Sequence, residues 1–165
     1  MSAQPATTSE ARYVASRTVA AAPGAVYALL TDPAQHHRTE PTDWVRGPLE
    51  AEPAPLTQVG QVFGIEMFHE NAGGRYDMHN EVIALEPERT VAWRPGQYGP
   101  DGELGSAGWT WRYDLAAEGE GTRVTLTYDW SKVPEFLREQ FSLPPFPPSF
   151  LDESLAALEE AVTAG

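Results

Sequence analysis

Hydrophobic alternation is clearest in "GWTWRYDLAAEGEGTRVTLTYDW", residues 108–130. Trp109, Trp111, Tyr113 and Leu115 fall on alternate positions, and after a Gly-rich turn so do Val124, Leu126, Tyr128 and Trp130. Thr110, Arg112 and Asp114, then Thr125, Thr127 and Asp129, fill the places between. A period of two sends successive side chains to opposite faces, so the stretch predicts two half-buried antiparallel strands. Regular pairing sets Leu115 opposite Val124, Tyr113 opposite Leu126, Trp111 opposite Tyr128 and Trp109 opposite Trp130. Carried one strand back, the same face takes Val91 and Trp93. One further back it takes Leu85, Ile83, Glu81, His79 and Asp77, and the next strand adds Phe63, Ile65, Met67 and His69.

Elsewhere the texture changes in a fixed order. "RYVASRTVAA" reads as a first strand, and Pro23 suits the first turn of a helix over "GAVYALLTD" that Asp32-Pro33 ends. A second short helix is expected over "AQHHRTE". "DWVRGPLE" is a short strand, and "QVFGIEMFHE" and "RYDMHNEVIALE" are two strands joined at the turn signal "NAGG". "PER" reverses the chain into the strand "TVAWRPG", and "QYGPDGELGSAG" reads as a loop. "KVPEFLREQFSLPPFPPSF" is Pro-rich, with one helical turn at "EFLREQF". The C-terminal helix is the clearest: Ser149 as N-cap, Asp152 three residues on, and Leu151, Leu155, Leu158 and Val162 as one apolar stripe. Glu153, Glu159 and Glu160 lie opposite. The expectation is a disordered segment over 1–11 and a single domain over 12–165. Its class is α+β: a curved antiparallel sheet of six to seven strands, two short helices after the first strand, and a long terminal helix on the apolar face.

Charge narrows the partners. The 165 residues carry 24 acids against 11 bases, a net charge of −13, and the single lysine is Lys132. Such a field repels nucleic acid and anionic membranes, and no basic stripe offsets it. No apolar run reaches the roughly 20 residues of a membrane span. The start, "MSAQPATTSEAR", lacks a signal-peptide layout, and the absence of cysteine fits a reducing cytoplasm and removes thiolate chemistry. A cytoplasmic protein, as monomer or homodimer, is expected.

Candidate chemistry gathers at one place. If the parity holds, His69, Asp77, His79 and Glu81 stand beside the aromatic face, and a histidine oriented by a carboxylate could move protons near neutral pH. A β-bulge in "NAGG" or "YDMHN" would instead turn Phe68, Met78, Asn80 and Val82 inward and leave the histidines as surface or hydrogen-bonded strand residues. Metal binding is not expected, since His36 and His37 are adjacent and diverge by about 100° on a helix. Arg94 and Arg112 share the parity opposite Trp93 and Trp111 and are expected outside, paired with acids. Phe136, Phe141, Phe146 and Phe150 form either a hydrophobic gate or a Pro-stiffened connection packing its own rings.

The order of elements, with "APGAVYALLTDP", "NEVIALEPERTVAW" and "GTRVTLTYDW", resembles the START-like (helix-grip) superfamily over roughly residues 12–164, in particular the bacterial polyketide cyclase/dehydrase and lipid-transport proteins. The resemblance implies a cavity between sheet and terminal helix that holds a hydrophobic or aromatic small molecule; no cofactor is expected. Its lining is expected to be Met67, His69, Trp93, Trp109, Trp111, Tyr113, Tyr128, Trp130, Phe150, Leu151, Leu155 and Leu158. The alternatives are a cyclase or dehydratase using His79 with Glu81 or Asp77, and a protein-interaction module of the same fold.

Overall fold

In the computed structural model, residues 3–9, 11–40, 42, 44–70, 73–141 and 146–164 are described, with the backbone alone for 3–9 and 141. The alternating segments form one nine-stranded antiparallel sheet. Its strands are β1 (Ala3–Ser9), β2 (Arg12–Val19), β3 (Val45–Pro48), β4 (Val62–His69), β5 (Gly74–Glu86), β6 (Thr90–Tyr98), β7 (Leu104–Gly105), β8 (Thr110–Glu118) and β9 (Gly121–Asp129). They lie in the order β1-β2-β9-β8-β6-β5-β4-β3, with β7 beside β6. Seven of these are the expected strands. The eighth is the two-residue β7 inside the presumed loop. The ninth, β1, lies inside the segment expected to be disordered: residues 3–9 run antiparallel to β2, from Ala3 opposite Arg17 to Ser9 opposite Arg12, while residues 1, 2 and 10 lie outside the described ones. "AQPATTS" has no apolar alternation to reveal it, and an edge strand can form through backbone hydrogen bonds that no side-chain pattern announces.

The opening hairpin has the predicted register for Leu115–Val124, Tyr113–Leu126 and Trp111–Tyr128. It ends one pair early, at Thr110–Asp129, so Trp109 and Trp130 flank the strands instead of pairing. Gly108 lies at φ +117°, and a Cβ there would stand 2.8 Å from the Lys132 carbonyl oxygen. That close approach, open only to glycine, carries the chain round into β8.

One local irregularity decides the faces of half the sheet. Val91 pairs with Tyr113 and Trp93 with Trp111, as parity requires. Leu85 pairs with Val91 and Ala84 with Ala92, but the next pair is Val82 with Trp93. Ile83 is the extra residue, a β-bulge that turns everything before it on β5 to the other face. Val82, Asn80, Met78 and Tyr76 therefore share the face of Trp93. Across β4 they meet Phe63, Ile65 and Met67, since Asn80 pairs with Phe63, Met78 with Ile65 and Tyr76 with Met67.

The apolar face of the sheet is concave, and helical segments cover it. α1 (Pro23–Leu30) has Pro23 in its first turn and buries Val26, Leu29 and Leu30. A 3-10 helix (Pro33–Thr39) follows, with the Asp32 carboxylate accepting from the Ala34 N–H at 3.0 Å. The Pro-rich segment holds α2 (Glu135–Phe141), and α3 (Ser149–Thr163) is the terminal helix. Leu151, Leu155 and Leu158 of α3 are buried completely or nearly so, each contributing about 1.5–3 kcal/mol of apolar burial. Ser149 is not the N-cap; Pro148 holds that place and no side chain caps the helix. Val162 sits only partly buried at the margin of the core, and Ser154 and Ala161 complete the buried stripe. Near its C-terminal end α3 is tied to β2, where Arg17 Nε donates to Glu159 Oε1 at 2.9 Å and the Ala20 N–H donates to Oε2 at 3.1 Å. No described helix is long and apolar enough to cross a membrane.

Candidate functional site

The concave face is built of rings. Trp111 lies 4.5 Å from Tyr128 and stacks on Phe146 at 5.7 Å with an interplanar angle of 22°. Phe146 also meets Tyr13, Trp44, Tyr128 and Phe150, with ring centroids between 4.7 and 6.1 Å. Trp44 comes from the far edge of the sheet, where its carbonyl accepts from the Phe68 N–H at 2.8 Å. Its indole nonetheless stands 6.4 Å from Trp111 and 5.7 Å from Phe150, while its Nε1–H donates to the Tyr76 hydroxyl at 2.6 Å. Trp44, Trp111, Phe146 and Phe150 thus join into one aromatic roof.

Burial along this face is graded. Phe63, Ile65, Val82, Tyr113, Leu126 and Tyr128 are buried, whereas Met67, Tyr76, Met78, Trp93 and Trp111 on the same face are only half-buried. A packed core seals all its members. Here large apolar side chains on the inner side of the sheet remain within reach of solvent.

The inner end of the face is closed by polar groups that are satisfied. His36, 4 % exposed, lies on Trp93 with centroids 5.0 Å apart and planes at 18°, edge-on to Phe63. Its Nε2 sits 2.7 Å from the Leu30 carbonyl oxygen, which fixes Nε2 as the protonated nitrogen of the neutral ring. Burial pushes its pKa down to about 4. Beside it the Tyr113 hydroxyl meets the side chains of Ser154 and Thr39, and burial raises its pKa to about 12. Ser154 in turn donates to the Thr39 carbonyl, pinning α3 to the 3-10 helix. His37 is exposed, so the two adjacent histidines diverge as helical geometry demands.

The expected lining is distributed as follows. Met67, His69, Trp93, Trp111, Tyr113 and Tyr128 face the concave side, with His69 6.2 Å from Trp44. Trp109 packs on the core from just before β8, and Trp130 is edge-on to Tyr13 at 4.9 Å. Phe150, Leu151, Leu155 and Leu158 descend from α3 onto the same core. Of the four phenylalanines of the gate reading, Phe146 and Phe150 join the roof, Phe136 is 67 % exposed, and the side chain of Phe141 lies outside the described residues. So do Asn71 and Ala72 of the "NAGG" turn.

The acid/base set is corrected. Asp77, His79 and Glu81 lie on the convex face, because the bulge at Ile83 reverses their parity. Glu81 accepts from Arg94 at 2.7 Å, Arg75 reaches Glu66 and Asp77, and the His79 ring packs edge-on to Tyr98 at 4.8 Å. His79 pairs with Gly64 on one side and Gly96 on the other. His69 stays inside, so the two histidines occupy opposite faces. Arg112 pairs with Asp114 on the convex side at 2.9 Å, and Phe68 is covered there by the Arg46 guanidinium at 4.2 Å. Among the described residues no group of three or more His, Asp or Glu side chains could hold a metal ion.

Residue reasoning passed over Trp44, and it reached Met78 and Asn80 only as the consequence of a bulge. Tyr76 becomes visible once the bulge is placed at Ile83. Trp44 carries a signal of its own, as a lone tryptophan next to a short strand.

Comparison with known proteins agrees with this architecture. Protein Ms6760 from Mycobacterium smegmatis is similar over 99 % of this chain and 96 % of its own, with a TM-score of 0.66 at 14 % identity. Protein NE0264 from Nitrosomonas europaea aligns over 96 % of this chain and 97 % of its own, with a TM-score of 0.69 at 16 % identity. The Aha1 dimer from Colwellia psychrerythraea aligns over 92 % and 95 %, with a TM-score of 0.56 at 20 % identity. These identities carry the fold alone. No curated protein sequence matches the chain. With the family model for polyketide cyclase/dehydrase and lipid transport matching residues 10–163, the chain belongs to that family.

Proposed function

We propose that this protein binds an apolar, ring-bearing small molecule on the concave face of its sheet, beneath the roof of Trp44, Trp111, Phe146 and Phe150. One observation carries the reading: Met67, Tyr76, Met78, Trp93 and Trp111 face inward yet are only half-buried, beside neighbours that are sealed. Apolar surface kept open on the inside of a fold is the usual make-up of a small-molecule site. Aromatic rings offer flat faces, and the two thioethers adapt to varied shapes. Membership of a family named for polyketide chemistry and lipid transport supports the same class of ligand. The convex face supports neither catalysis by His79 nor an apolar docking surface, since its rows carry the Arg75–Glu66, Arg94–Glu81 and Arg112–Asp114 pairs.

Methionine methyl NMR tests the proposal directly. The chain has three methionines, and Met67 and Met78 stand on the concave face. Titration with a naphthalene-sized aromatic is expected to shift both methyl resonances saturably. Absence of saturable shifts from a panel of aromatic and fatty-acid probes would overturn the reading.

A further inference from the structure

On the concave side of β4–β6, away from His69 at the end of β4, a buried polar residue interrupts the apolar surface. Asn80 pairs with Phe63 on β4 and with Pro95 on β6, and its neighbours on that face of β5 are Met78 and Val82. It is 7 % exposed, and its Oδ1 is buried with no hydrogen-bond partner among the described residues. An amide oxygen removed from water and left unpaired weakens a fold; leucine, of similar size, would not. Pro95 has no N–H, so the facing strand brings no backbone donor at this point.

Resting on the reading that the concave face takes a small molecule, we propose that Asn80 is the point at which the ligand's polar group is recognised, and that this group is a hydroxyl on an otherwise apolar ring system. Position supports this. Counting only pairs on the concave face, Phe63–Asn80 is the next one in from Ile65–Met78 and the second in from Met67–Tyr76. A molecule lying along β5 would rest its apolar body on Tyr76 and Met78 and bring its leading atom to Asn80. The amide offers both an acceptor oxygen and donor N–H groups, which a hydroxyl can match in either sense. A carboxylate is disfavoured, because Arg94, the cation nearest in register, points to the convex face and is paired with Glu81; an anion here would be desolvated without a partner.

The test compares β-naphthol with β-methylnaphthalene, which exchange a hydroxyl for a methyl group on one ring system. Wild-type protein is expected to bind β-naphthol about tenfold or more tightly than its partner, by NMR titration. Asn80→Leu should abolish that preference, and Asn80→Ser should retain part of it. The Asn80 side-chain amide resonances of the wild type should move further with β-naphthol than with β-methylnaphthalene, whose ring current alone reaches them, a result that stands even if a variant fails to fold. An unchanged preference in Asn80→Leu, or Asn80 resonances indifferent to β-naphthol, overturns the role of Asn80 and leaves the cavity reading intact. Failure of both probes to bind the wild type overturns the cavity reading and this inference with it.

Discussion

The indoles of Trp44 and Trp111 stand 6.4 Å apart although three strands, β4, β5 and β6, separate the edge that carries Trp44 from β8. Four steps across a flat sheet would span about 19 Å. The sheet therefore curls until the two rings close over the strands between them, with Phe146 and Phe150 completing the contact. Removing one side of that roof tests its purpose. Trp111→Ala should weaken binding of an aromatic probe about tenfold or more and lower stability by about 2–3 kcal/mol. Titration and urea denaturation separate the two effects; undiminished affinity would show that the ring is core alone.

His36 makes stability depend on pH in a defined window. Its folded pKa is about 4, below the ordinary value of 6.5, because burial disfavours the charged ring. The unfolded chain binds the proton first as pH falls, so the contribution is complete above about 6.5 and is lost between 6.5 and about 4, reaching about 3 kcal/mol at the lower end. Urea denaturation across that range should show the loss. His36→Gln keeps a donor for the Leu30 carbonyl and should flatten this part of the curve; an identical slope in the variant would assign the dependence to other groups.

The clasp between β2 and α3 can be tested by removing its acceptor. Glu159 receives both the Arg17 guanidinium and the Ala20 N–H and is 14 % exposed in its side chain. Glu159→Ala leaves a half-buried arginine and a backbone donor without their acceptor. A loss of about 1–2 kcal/mol is expected, reduced at high salt because part of it is screened. Thermal unfolding at two ionic strengths reads both quantities.

His79→Ala should change the affinity for a concave-face probe by less than about twofold, because its ring lies across the sheet from that face. Titration of the variant beside Trp111→Ala measures it. A large loss of affinity from His79→Ala would mean that the face assignment through the bulge is wrong.

The bulge also explains what the sequence could reveal and what it could not. From Trp109 to Trp130 each apolar residue is followed by a polar one for several steps, so the phase of the strands is written into the chain, and the pairings of Trp111, Tyr113 and Leu115 follow. Val82, Ile83, Ala84 and Leu85 are apolar in succession. Such a run carries no phase, and one extra residue can hide in it. The parity of Asp77, His79 and Glu81 was therefore open, as was that of Asn80 beside them.

Apolar periodicity thus determined the strands, the terminal helix and its stripe, since each element must bury one face to be stable. The edge strand β1 escaped, having no face to bury that its sequence discloses. Tertiary structure alone decided the rest: the slip at Ile83, the meeting of Trp44 with Trp111 and the enclosure of Asn80 among Phe63, Met78, Val82 and Pro95. Those depend on how far a sheet curls and where one ladder gains a residue, which are properties of all the strands packed together and of no single segment.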